Sequence, residues 1–466
     1  MELSSEKKPA NFLPPLLGYM HQDPPVIRTL NTLPPAWDRS GIFVANLFSL
    51  FFGNQHQTQD LCAEVGRLET YGGRLIPILG LIFKGAGPNL VVLEQEPDRR
   101  LFEYFTNELG LELPQMAVLP HHHYESLAQA AAGRADAADL IEQLSQIPAG
   151  WVDGFVTDES LQYLARESGH QTLNTRQGSY EGNHKVMLHH FLAACDLPTF
   201  TTHLAETRED IDRARAQLCH AGYTRAVIKT AIGASGVGLW QMATEGDGIE
   251  IPDYCFHEGA CLVQGWLDDK IADVNRIYSP SVQLFVQPDA VHLYDLTDQI
   301  LGLDSVHEGN LSPPLWVDSD PDTYEELGSW LHGRGYRGTA SIDFHVADRT
   351  GGREVRVCEV NARVTGATYP ALLARHMAPG QAWLMRNLRF DPGIPPDQLL
   401  ERMDGAGILF KLGGANQVLP INFNVHPEEG VTKGQFLCLA PDIEAAMALL
   451  EKTCSVLPVT DTFDRD

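Results

Sequence analysis

The chain alternates short apolar runs with amphipathic stretches from about Ile42 to residue 157. Apolar runs at Leu75–Phe83, Asn89–Leu93 and Trp151–Thr157 predict strands. The stretches Asp98–Leu109 and Arg134–Leu144 carry the spacing of amphipathic helices. Strands that alternate with helices are typical of a parallel α/β sheet. We therefore expect an N-terminal α/β layer.

The middle of the chain mixes helices with a longer series of strands. Leu188, Phe191, Leu192 and Cys195 follow the i, i+3, i+4, i+7 spacing of a helix over Gly182–Leu197, which Pro198 ends. Other segments are predicted by the same criteria: helices at Glu206–Ala221 and Pro321–Leu331, and strands at Arg225–Lys229, Thr339–Val346 and Glu354–Glu359, with three short strands between Cys261 and Leu301.

The two ends of the chain differ from its middle. Residues 1–35 contain seven prolines, including three Pro-Pro pairs, which favours extended chain lying on another surface. After about residue 395 the pattern predicts a small α/β piece, with strands at Gly407–Leu412, Gln417–Pro420 and Gln435–Leu439 and a helix at Pro441–Thr453. We place the domains at 1–180, 181–395 and 396–466.

Composition narrows the class of protein. Sixty-one acidic residues against 34 basic ones give a net charge of −27, which disfavours binding to nucleic acid or to an anionic membrane surface. The most apolar stretch, Ile42–Phe52, falls short of the roughly 20 residues of a membrane span. The N-terminus lacks a signal-peptide pattern, and eight scattered cysteines without a CxxC pair indicate reduced, buried thiols. We expect a cytoplasmic protein without structural zinc.

One glycine-rich segment is typical of a phosphate-binding loop. The predicted strand ends at Lys229, and Gly233, Ser235, Gly236, Val237 and Gly238 follow. Glycines let backbone N–H groups approach phosphate oxygens, and a lysine adds a compact positive charge. The lysine precedes the glycines, so the segment is not a P-loop, and it is not a GxGxxG motif. A plain hairpin turn, in which the glycines serve positive φ alone, is the structural alternative.

A second segment places polar groups together on one strand. Glu359 and Asn361 are two residues apart and share a face, with Arg363 following at the same spacing, whereas Cys358 and Val360 point to the other face. With Asp343 on the neighbouring strand, such hard oxygen ligands suit Mg²⁺ bound to substrate phosphates. The alternative is a surface strand with an ordinary Glu–Arg pair.

Together the two segments resemble the ATP-grasp superfamily over about residues 180–375. The order of motifs carries the resemblance: a first lysine in Asn183-His184-Lys185, a second in Lys229 with its glycine loop, and then Asp343 and Glu359-x-Asn361. The chain has nine lysines, and two of them stand at these positions. The resemblance implies an α/β ATP-grasp core, with ATP bound by the two lysines and the loop and Mg²⁺ held by Asp343, Glu359 and Asn361.

The resemblance also implies an adenine hinge and a ribose-binding acid. The hinge corresponds to Val263 together with Gln264, Gly265, Trp266 and Leu267. Asp268, Asp269 and Asp273 compete to hold the ribose, and we favour Asp273. Arg363 matches the Glu-x-Asn-x-Arg form of the carboxylase-like branches, where it would neutralise an acyl phosphate or oxyanion, while the arginine found before the first metal acid in D-alanine–D-alanine-type ligases is replaced by Ser341.

A narrower similarity is to the peptide ligases of the pheganomycin type, which carry a pre-ATP-grasp domain before the core and a small domain after it. Short motifs around Ser279, His307–Asn310, Thr365–Pro370 and residues 407–423 carry this similarity. It implies that the N-terminal α/β layer is a pre-ATP-grasp domain. We expect His307, Glu308, Thr365, Gly366 and Thr368 to position substrate.

The implied activity is ATP-dependent ligation of a small-molecule carboxylate to an amine, such as an amino acid or a peptide, through an acyl phosphate. Lys229 and Arg363 are the expected catalytic residues, and a homodimer is possible. Two alternatives are a phosphotransferase, in which phosphate stays on the product, and a non-catalytic nucleotide-binding protein. The complete set of lysines and carboxylates argues against the second alternative.

Overall fold

A computed structural model describes residues 25–65, 71–85, 87–129, 137–148, 150–246, 248–267, 271, 273–302, 307–315 and 321–460. In these residues the strands form three sheets. Helices occupy Gln55–Val65, Leu79–Ile82, Arg99–Glu103, His121–Gln129, Ala138–Ser145, Glu159–Glu167, Arg176–Gly182, Lys185–Ala194, Arg208–His220, Pro321–Gly333, Thr368–Met377, Pro396–Gly405 and Ile443–Val456. Short 3₁₀ turns lie at Leu47–Ser49, Tyr71–Leu75 and Asp253–Phe256, and a π turn at Tyr104–Glu108.

The N-terminal sheet is parallel, as the alternation of strands and helices predicts. Its spatial order is Gln115–Val118, Leu90–Leu93, Gly41–Val44, Trp151–Gly154 and Gln171–Thr172. All five strands are short, and the central one is buried along its whole length. The connection between two parallel strands has to cross a face of the sheet, and it usually does so as a helix. Helices therefore cover this sheet, as is typical of α/β domains.

The small sheet is a four-stranded antiparallel layer in the middle of the chain. Its order is Thr202–Ala205, Cys261–Trp266, Arg225–Ala234 and Val237–Ala243. The helix Arg208–His220 packs on it through Ile211, Ala214 and Leu218. The last two strands form the hairpin that carries the glycine-rich segment.

The large sheet has ten described strands and runs through the rest of the molecule. Along its main path the order is Val274–Tyr278, Gly338–Arg349, Pro280–Val286, Ala290–Leu301, His307–Ser312, Ala382–Ile394, Gly430–Ala440 and Gln417–His426. Gly352–Asn361 pairs with Gly338–Arg349, and Val26–Thr29 pairs parallel to Ala290–Leu301. The strands after residue 395 therefore extend the sheet of the core, while the domain boundaries given above stay predictions.

Two local predictions are wrong, and a third is correct except for the start of the helix. Leu75–Phe83 is not a strand but the end of a 3₁₀ turn followed by the helix Leu79–Ile82; it is buried almost throughout, and a short apolar run cannot separate a buried strand from a buried helix. The helix predicted over Gly182–Leu197 is confirmed over Lys185–Ala194, but it begins only after a break at Asn183–His184, and Gly182 ends the preceding helix. Gly407–Leu412 forms no strand beyond the isolated bridge from Leu409 to Val418.

The remaining predictions of local structure are largely confirmed where the residues are described. Val26–Thr29 is extended, as the proline-rich segment predicts, and residues 1–24 lie outside the described residues. The eight cysteines are all free, but the prediction that they are buried holds for three of them, and Cys195 is exposed. No helix within the described ranges is both long enough and apolar enough to cross a membrane.

Candidate active site

A cleft of about 430 Å³ lies between the small sheet and the large sheet. The glycine-rich hairpin forms one wall, and the paired strands Gly338–Arg349 and Gly352–Asn361 form the other. Residues that the sequence analysis selected from separate motifs line it together: Lys185, Lys229, Gly233, Ser235, Gly236, Val237, Gly238, Trp266, Leu267, His307, Asp343 and Glu359. Segments more than 170 residues apart in the chain thus meet at one concave surface.

Both selected lysines direct their ammonium groups into this cleft. Lys185 Nζ lies 2.9 Å from Glu359 Oε2 and donates to the Gly233 carbonyl oxygen at 3.0 Å. Lys229 Nζ lies 3.5 Å from Cys358 Sγ and above the rings of Phe200 and Trp266, at 5.2 and 5.4 Å. Lys229 is 3% exposed, so its charge acts at reduced screening. The two lysines are placed to hold an anionic ligand along the hairpin.

The glycine-rich segment is a hairpin whose tip requires left-handed backbone. Ser235 has φ +54° and Gly236 φ +84°, and Ala234 pairs with Val237 across this two-residue turn. Gly238 also has φ +84°, and a Cβ there would lie 2.2 Å from Thr230 Oγ1. The two interpretations of this segment, a hairpin turn and a phosphate-binding loop, are therefore compatible, because the turn that needs positive φ forms a wall of the cleft.

Only some residues of the predicted hinge strand line the cleft. Trp266 and Leu267 line it, and Trp266 stacks on Phe200 with ring centroids 5.6 Å apart and planes at 10°. Gln264 instead donates to Thr202 Oγ1 at 3.0 Å. Gly265 faces Tyr223, since a Cβ there would lie 2.6 Å from that ring. Neither Gln264 nor Gly265 is part of the lining of the cleft.

The structure does not bring Asp273 into the cleft. Its carboxylate forms an ion pair with Arg349, with Nη2 at 2.5 Å and Nε at 2.9 Å, at the edge of the large sheet. A partner on the neighbouring strand therefore accounts for this acid. Asp268 and Asp269, the competing candidates, lie outside the described residues.

Asp343, Glu359 and Asn361 form a hydrogen-bonded cluster, of which the two carboxylates line the cleft and Asn361 does not. Asp343 and Glu359 are directly opposite each other in the strand pair. Asn361 Nδ2 donates to Asp343 Oδ2 at 2.8 Å and to Glu359 Oε1 at 3.1 Å. Ser281 and Ser341 donate to Asp343 Oδ1, at 2.5 and 3.2 Å. The amide thus sits between two carboxylates where a cation would also sit.

A β-bulge changes the expected alternation on the second of these strands. Asp343 pairs with Glu359 and Phe344 with Val357, so Cys358 is left without an opposite residue. Cys358 was expected to point away from Glu359, but both residues line the cleft. Burial and the neighbouring carboxylates raise the pKa of the Cys358 thiol, although Lys229 beside it acts in the opposite direction.

The two carboxyl groups have opposite pKa shifts. Burial, together with the nearby charge of Glu359, raises the pKa of Asp343 to about 6. Burial also acts to raise the pKa of Glu359, but Lys185 and Arg363 outweigh it and lower the pKa to about 2. Glu359 is therefore the permanent anion of the pair, and a bound cation would also stabilise the ionised form of Asp343.

The donor set fits a magnesium ion that a bound phosphate helps to hold. Asn361 Oδ1 is buried without a hydrogen-bond partner, so rotation of the amide would replace its two donated bonds with an oxygen ligand between the carboxylates. Among the described residues no three His, Cys, Asp or Glu side chains group together as a metal site. Mg²⁺ often binds through one or two carboxylates and completes its shell with water and phosphate oxygens.

Arg363 is fixed at the end of the strand that carries Glu359. Its Nη1 donates to Asn183 Oδ1 at 2.6 Å. The same oxygen accepts from the Ala362 backbone N–H at 3.1 Å, and Asn183 Nδ2 donates to the Ala362 carbonyl at 3.1 Å. Asn183, the residue at which the helix breaks, therefore joins the Lys185 helix to the Arg363 segment.

A second cavity of about 130 Å³ adjoins the carboxylate cluster. Arg363 lines it together with three of the residues predicted to position substrate, His307, Thr365 and Gly366, and Leu47, Leu50, Tyr71 and Phe155 come from the N-terminal part of the chain. Glu308 and Thr368 are not part of this lining. Glu308 pairs with Arg386 at 2.7 Å, and Thr368 Oγ1 accepts from the Thr365 backbone N–H at 3.0 Å.

Sequence reasoning missed residues that reach the site from a distance. Gln57 and Tyr71 belong to the N-terminal domain, and Ser281 lies on a strand beside Asp343. None of them is part of a motif with fixed spacing. The sequence does give a signal for Ser281, because Ser279-Pro280-Ser281 belongs to one of the short motifs that carry the similarity to the peptide ligases. The position of Ser281 beside Asp343 follows only from the register of the two strands.

Comparison with known proteins identifies the fold. No protein-family model matches the chain. Over 240 residues it is 28% identical to the [butirosin acyl-carrier protein]–L-glutamate ligase of Niallia circulans, covering 50% of this chain and 55% of that protein. The chain thus matches about half the length of this curated relative.

Solved structures match over nearly the whole chain. N5-carboxyaminoimidazole ribonucleotide synthetase from Thermus thermophilus has a TM-score of 0.53 at 12% identity, with 91% of this chain and 100% of that chain covered. The Staphylococcus aureus N5-carboxyaminoimidazole synthetase with ADP gives 0.52 at 12%, with 91% and 100% covered. The biotin carboxylase domain of Hydrogenobacter thermophilus 2-oxoglutarate carboxylase, with MgADP and bicarbonate, gives 0.50 at 10%, with 90% of each chain covered. The chain therefore has the ATP-grasp fold, which confirms the predicted fold class.

Proposed function

We propose that this protein is an ATP-dependent ligase that joins a carboxylate to an amine through an acyl phosphate. One observation carries the proposal: two lysines, the glycine hairpin, Asp343 and Glu359 line one cleft, and the same two carboxylates meet Asn361 and Arg363 at the adjoining smaller cavity. The fold and the similarity to the Niallia circulans ligase support the same class.

In this proposal ATP lies along the hairpin. Lys185 and Lys229 neutralise its phosphates, and backbone N–H groups near Gly236 approach them at a turn where no Cβ intervenes. Trp266 and Leu267 would contact the base from the neighbouring strand. Asp343, Glu359 and Asn361 would hold Mg²⁺, which withdraws charge from the phosphoryl group as it is transferred.

The chemistry takes place where the cleft and the smaller cavity meet. A substrate carboxylate oxygen attacks the γ-phosphorus, the bond to the ADP oxygen breaks, and an acyl phosphate forms. The amine then attacks the acyl carbon, the C–O bond to phosphate breaks, and the nitrogen loses its proton to the departing phosphate or to solvent. Arg363, held by Asn183, is placed to stabilise the negative charge on the oxygens of this intermediate.

The first substrates to test follow from the comparison. The relative is a ligase of L-glutamate and an acyl-carrier protein. We propose an amino acid as the amine, and a small acid, free or bound to a carrier protein, as the carboxylate.

The test is release of ADP and phosphate from MgATP across a panel of acids and amino acids, with hydroxylamine as a trap. A ligase yields free phosphate and a hydroxamate of the acid. Phosphate that stays on the product would identify a phosphotransferase instead. Nucleotide binding without turnover on the whole panel, including carrier-bound acids, would identify a non-catalytic protein.

A further inference from the structure

His307 lies where the cleft and the smaller cavity meet. It begins the strand His307–Ser312 and lines both the cleft of about 430 Å³ and the cavity of about 130 Å³. Four other residues line both: Ser235, Gln299, Asp343 and Glu359. In the proposed function, the acyl phosphate forms at this junction and the amine attacks it there. A side chain at the junction is therefore placed to act on the reacting nitrogen.

The His307 imidazole is held through one of its two nitrogens. Nε2 lies 2.6 Å from Asn310 Oδ1. Because a carboxamide oxygen only accepts hydrogen bonds, this contact places the proton of the neutral ring on Nε2 and leaves the lone pair on Nδ1. Nδ1 forms no hydrogen bond to any residue that the structure describes. The lone pair is thus left for a ligand.

Gly366 fixes the other side of the ring. A Cβ at this position would lie 2.7 Å from His307 Cε1 and 3.2 Å from Nδ1, so the backbone approaches the ring as closely as only glycine allows. Gly366 also lines the smaller cavity, which places the Nδ1 edge of the ring against the wall of that cavity. Asn310, on the opposite side, is 1% exposed. Protein groups therefore position the imidazole without help from a substrate.

The surroundings keep the His307 imidazole neutral near pH 7. Burial lowers its pKa below the ordinary 6.5, and the charges of Arg74 and Arg386 act in the same direction. The bond to Asn310 and the charge of Glu308 act in the opposite direction without outweighing burial. Glu308 is itself paired with Arg386 at 2.7 Å. The lone pair on Nδ1 is thus free of a proton at the pH of an ordinary cytosol.

The other ionisable residues of the smaller cavity are less suited to accept a proton. They are Tyr71, Asp343, Glu359 and Arg363. Asp343 and Glu359 are the expected metal ligands, and an arginine is a permanent cation. An imidazole, unlike a phenol, exchanges protons near neutral pH. Of the described residues in this lining, His307 is therefore the one fitted to act as a base.

We propose that His307 is the general base of the ligation, which accepts at Nδ1 a proton from the ammonium group of the amine substrate. The proposal rests on the proposed function and adds a catalytic residue to it. An ammonium group has no lone pair, so it must lose a proton before it attacks. R–NH₃⁺ gives one proton to Nδ1, R–NH₂ forms the C–N bond at the acyl carbon, and the C–O bond to phosphate breaks. The imidazolium returns its proton to the released phosphate, and the second proton leaves the nitrogen for phosphate or solvent.

The test compares an amino acid with hydroxylamine as the attacking nitrogen. Hydroxylamine is a much weaker base, so near neutral pH it is unprotonated and needs no proton acceptor before it attacks. With the acid that gives a hydroxamate, His307→Gln should form amide from the amino acid about 10²- to 10⁴-fold more slowly than wild type. It should form hydroxamate at the wild-type rate, which also shows that the variant is folded.

His426→Gln is the matched control. His426 accepts from the Glu428 backbone N–H at 3.3 Å and lines neither cavity. This variant should match wild type with both nitrogen nucleophiles.

The pH profile and chemical rescue supply the second readout. With the amino acid, the kcat of wild type should stay level from about pH 8 to about pH 6.5, because neutral His307 takes the proton. The kcat of His307→Gln should fall about tenfold per pH unit over the same range, because only the free amine reacts. Added imidazole should restore amide formation by His307→Ala.

Each outcome separates the base from the proposed function. Unchanged amide formation in His307→Gln would overturn the assignment of His307 alone. Equal loss of amide and hydroxamate in His307→Gln and His307→Ala, with no rescue by imidazole, would do the same, because it indicates a role in binding or folding. Absence of hydroxamate from wild type across the whole panel of acids would refute the proposed function, and the base with it.

Discussion

Gln57 Nε2 lies 3.2 Å from Thr230 Oγ1 and 3.0 Å from the Ile232 carbonyl oxygen. Gln57 is fully buried, and its own carbonyl oxygen accepts from Asn54 at 2.8 Å. An amide of the N-terminal domain thus fixes the strand that leads from Lys229 into the glycine hairpin. Residues before the small sheet therefore position the hairpin wall of the cleft as well as one wall of the smaller cavity.

Replacing Gln57 with Ala should loosen the hairpin. The two hydrogen bonds that Gln57 donates to Thr230 and Ile232 disappear, together with the one that it accepts from Asn54, so the strand loses its fixed position. We expect KM for ATP to rise by about tenfold, the equivalent of one buried hydrogen bond. Gln55→Ala is the matched control on the same helix, since Gln55 is exposed and bonds to Glu125 at 3.1 Å. Equal KM values for ATP in the two variants would contradict the positioning role.

Alanine substitutions at Gly236 and Gly238 separate backbone strain from steric clash. Both glycines have φ +84°, but a Cβ at Gly236 meets nothing within 4 Å, whereas at Gly238 it meets Thr230 Oγ1 at 2.2 Å and Gln57 Nε2 at 2.6 Å. Gly236→Ala should lower the free energy of unfolding by roughly 1–2 kcal/mol, the cost of left-handed backbone. Gly238→Ala should lower it further, as urea denaturation would show. Equal losses of unfolding free energy in the two variants would contradict the close packing of Thr230 and Gln57 against Gly238.

Glu359→Gln removes the permanent anion of the cluster. It takes away one expected magnesium ligand and the partner of Lys185, so we expect turnover to fall by at least about 10²-fold, as for the loss of a preorganised charge at a reacting group. Glu354→Gln is the control on the same strand, because Glu354 pairs with Arg349 and Arg356 outside the cleft. Wild-type turnover in Glu359→Gln would contradict the metal assignment, and circular dichroism would show that both variants fold.

His345 should make the protein less stable in acid. Burial, reinforced by Lys229, lowers the pKa of His345 to about 4, against 6.5 for the free side chain, although its bond to the Leu267 carbonyl acts in the opposite direction. Between pH 6.5 and 4 the unfolded chain binds the proton and the folded chain does not, so this group's contribution to stability falls as pH falls. The difference in free energy of unfolding between wild type and His345→Gln should therefore shrink by up to about 3 kcal/mol over that window. A constant difference would contradict the shift.

Much of the fold follows from local pattern, because alternation and amphipathic spacing are properties of consecutive residues. The antiparallel hairpin ending at Asn361 and the parallel N-terminal strands are of this kind. The bulge at Cys358 is not, since one unpaired residue leaves no trace in hydrophobic alternation. The pairing of the strands after residue 395 with Ala382–Ile394 was also beyond reach, because it depends on contacts distant in sequence.

The candidate site likewise contains residues that the local sequence predicts and residues that it does not. Lys185, Lys229, Asp343 and Glu359 belong to motifs with fixed spacing, and the structure brings them into one cleft. Asp273 is one of three nearby acids that match the motif equally well, and its ion pair with Arg349 leaves no local sequence signal. Gln57, which contacts the strand leading into the hairpin, could not be found at all, because a single residue far away in sequence has no spacing to recognise.

The most direct test of the central claim follows an oxygen atom from the substrate. The protein is incubated with MgATP, an amine and a carboxylic acid substrate labelled with ¹⁸O in its carboxylate, and the released phosphate is analysed by mass spectrometry. Activation as an acyl phosphate predicts one ¹⁸O in each phosphate released, with amide formed in equal amount. Amide formed with unlabelled phosphate, or label retained entirely in the product, would contradict the account.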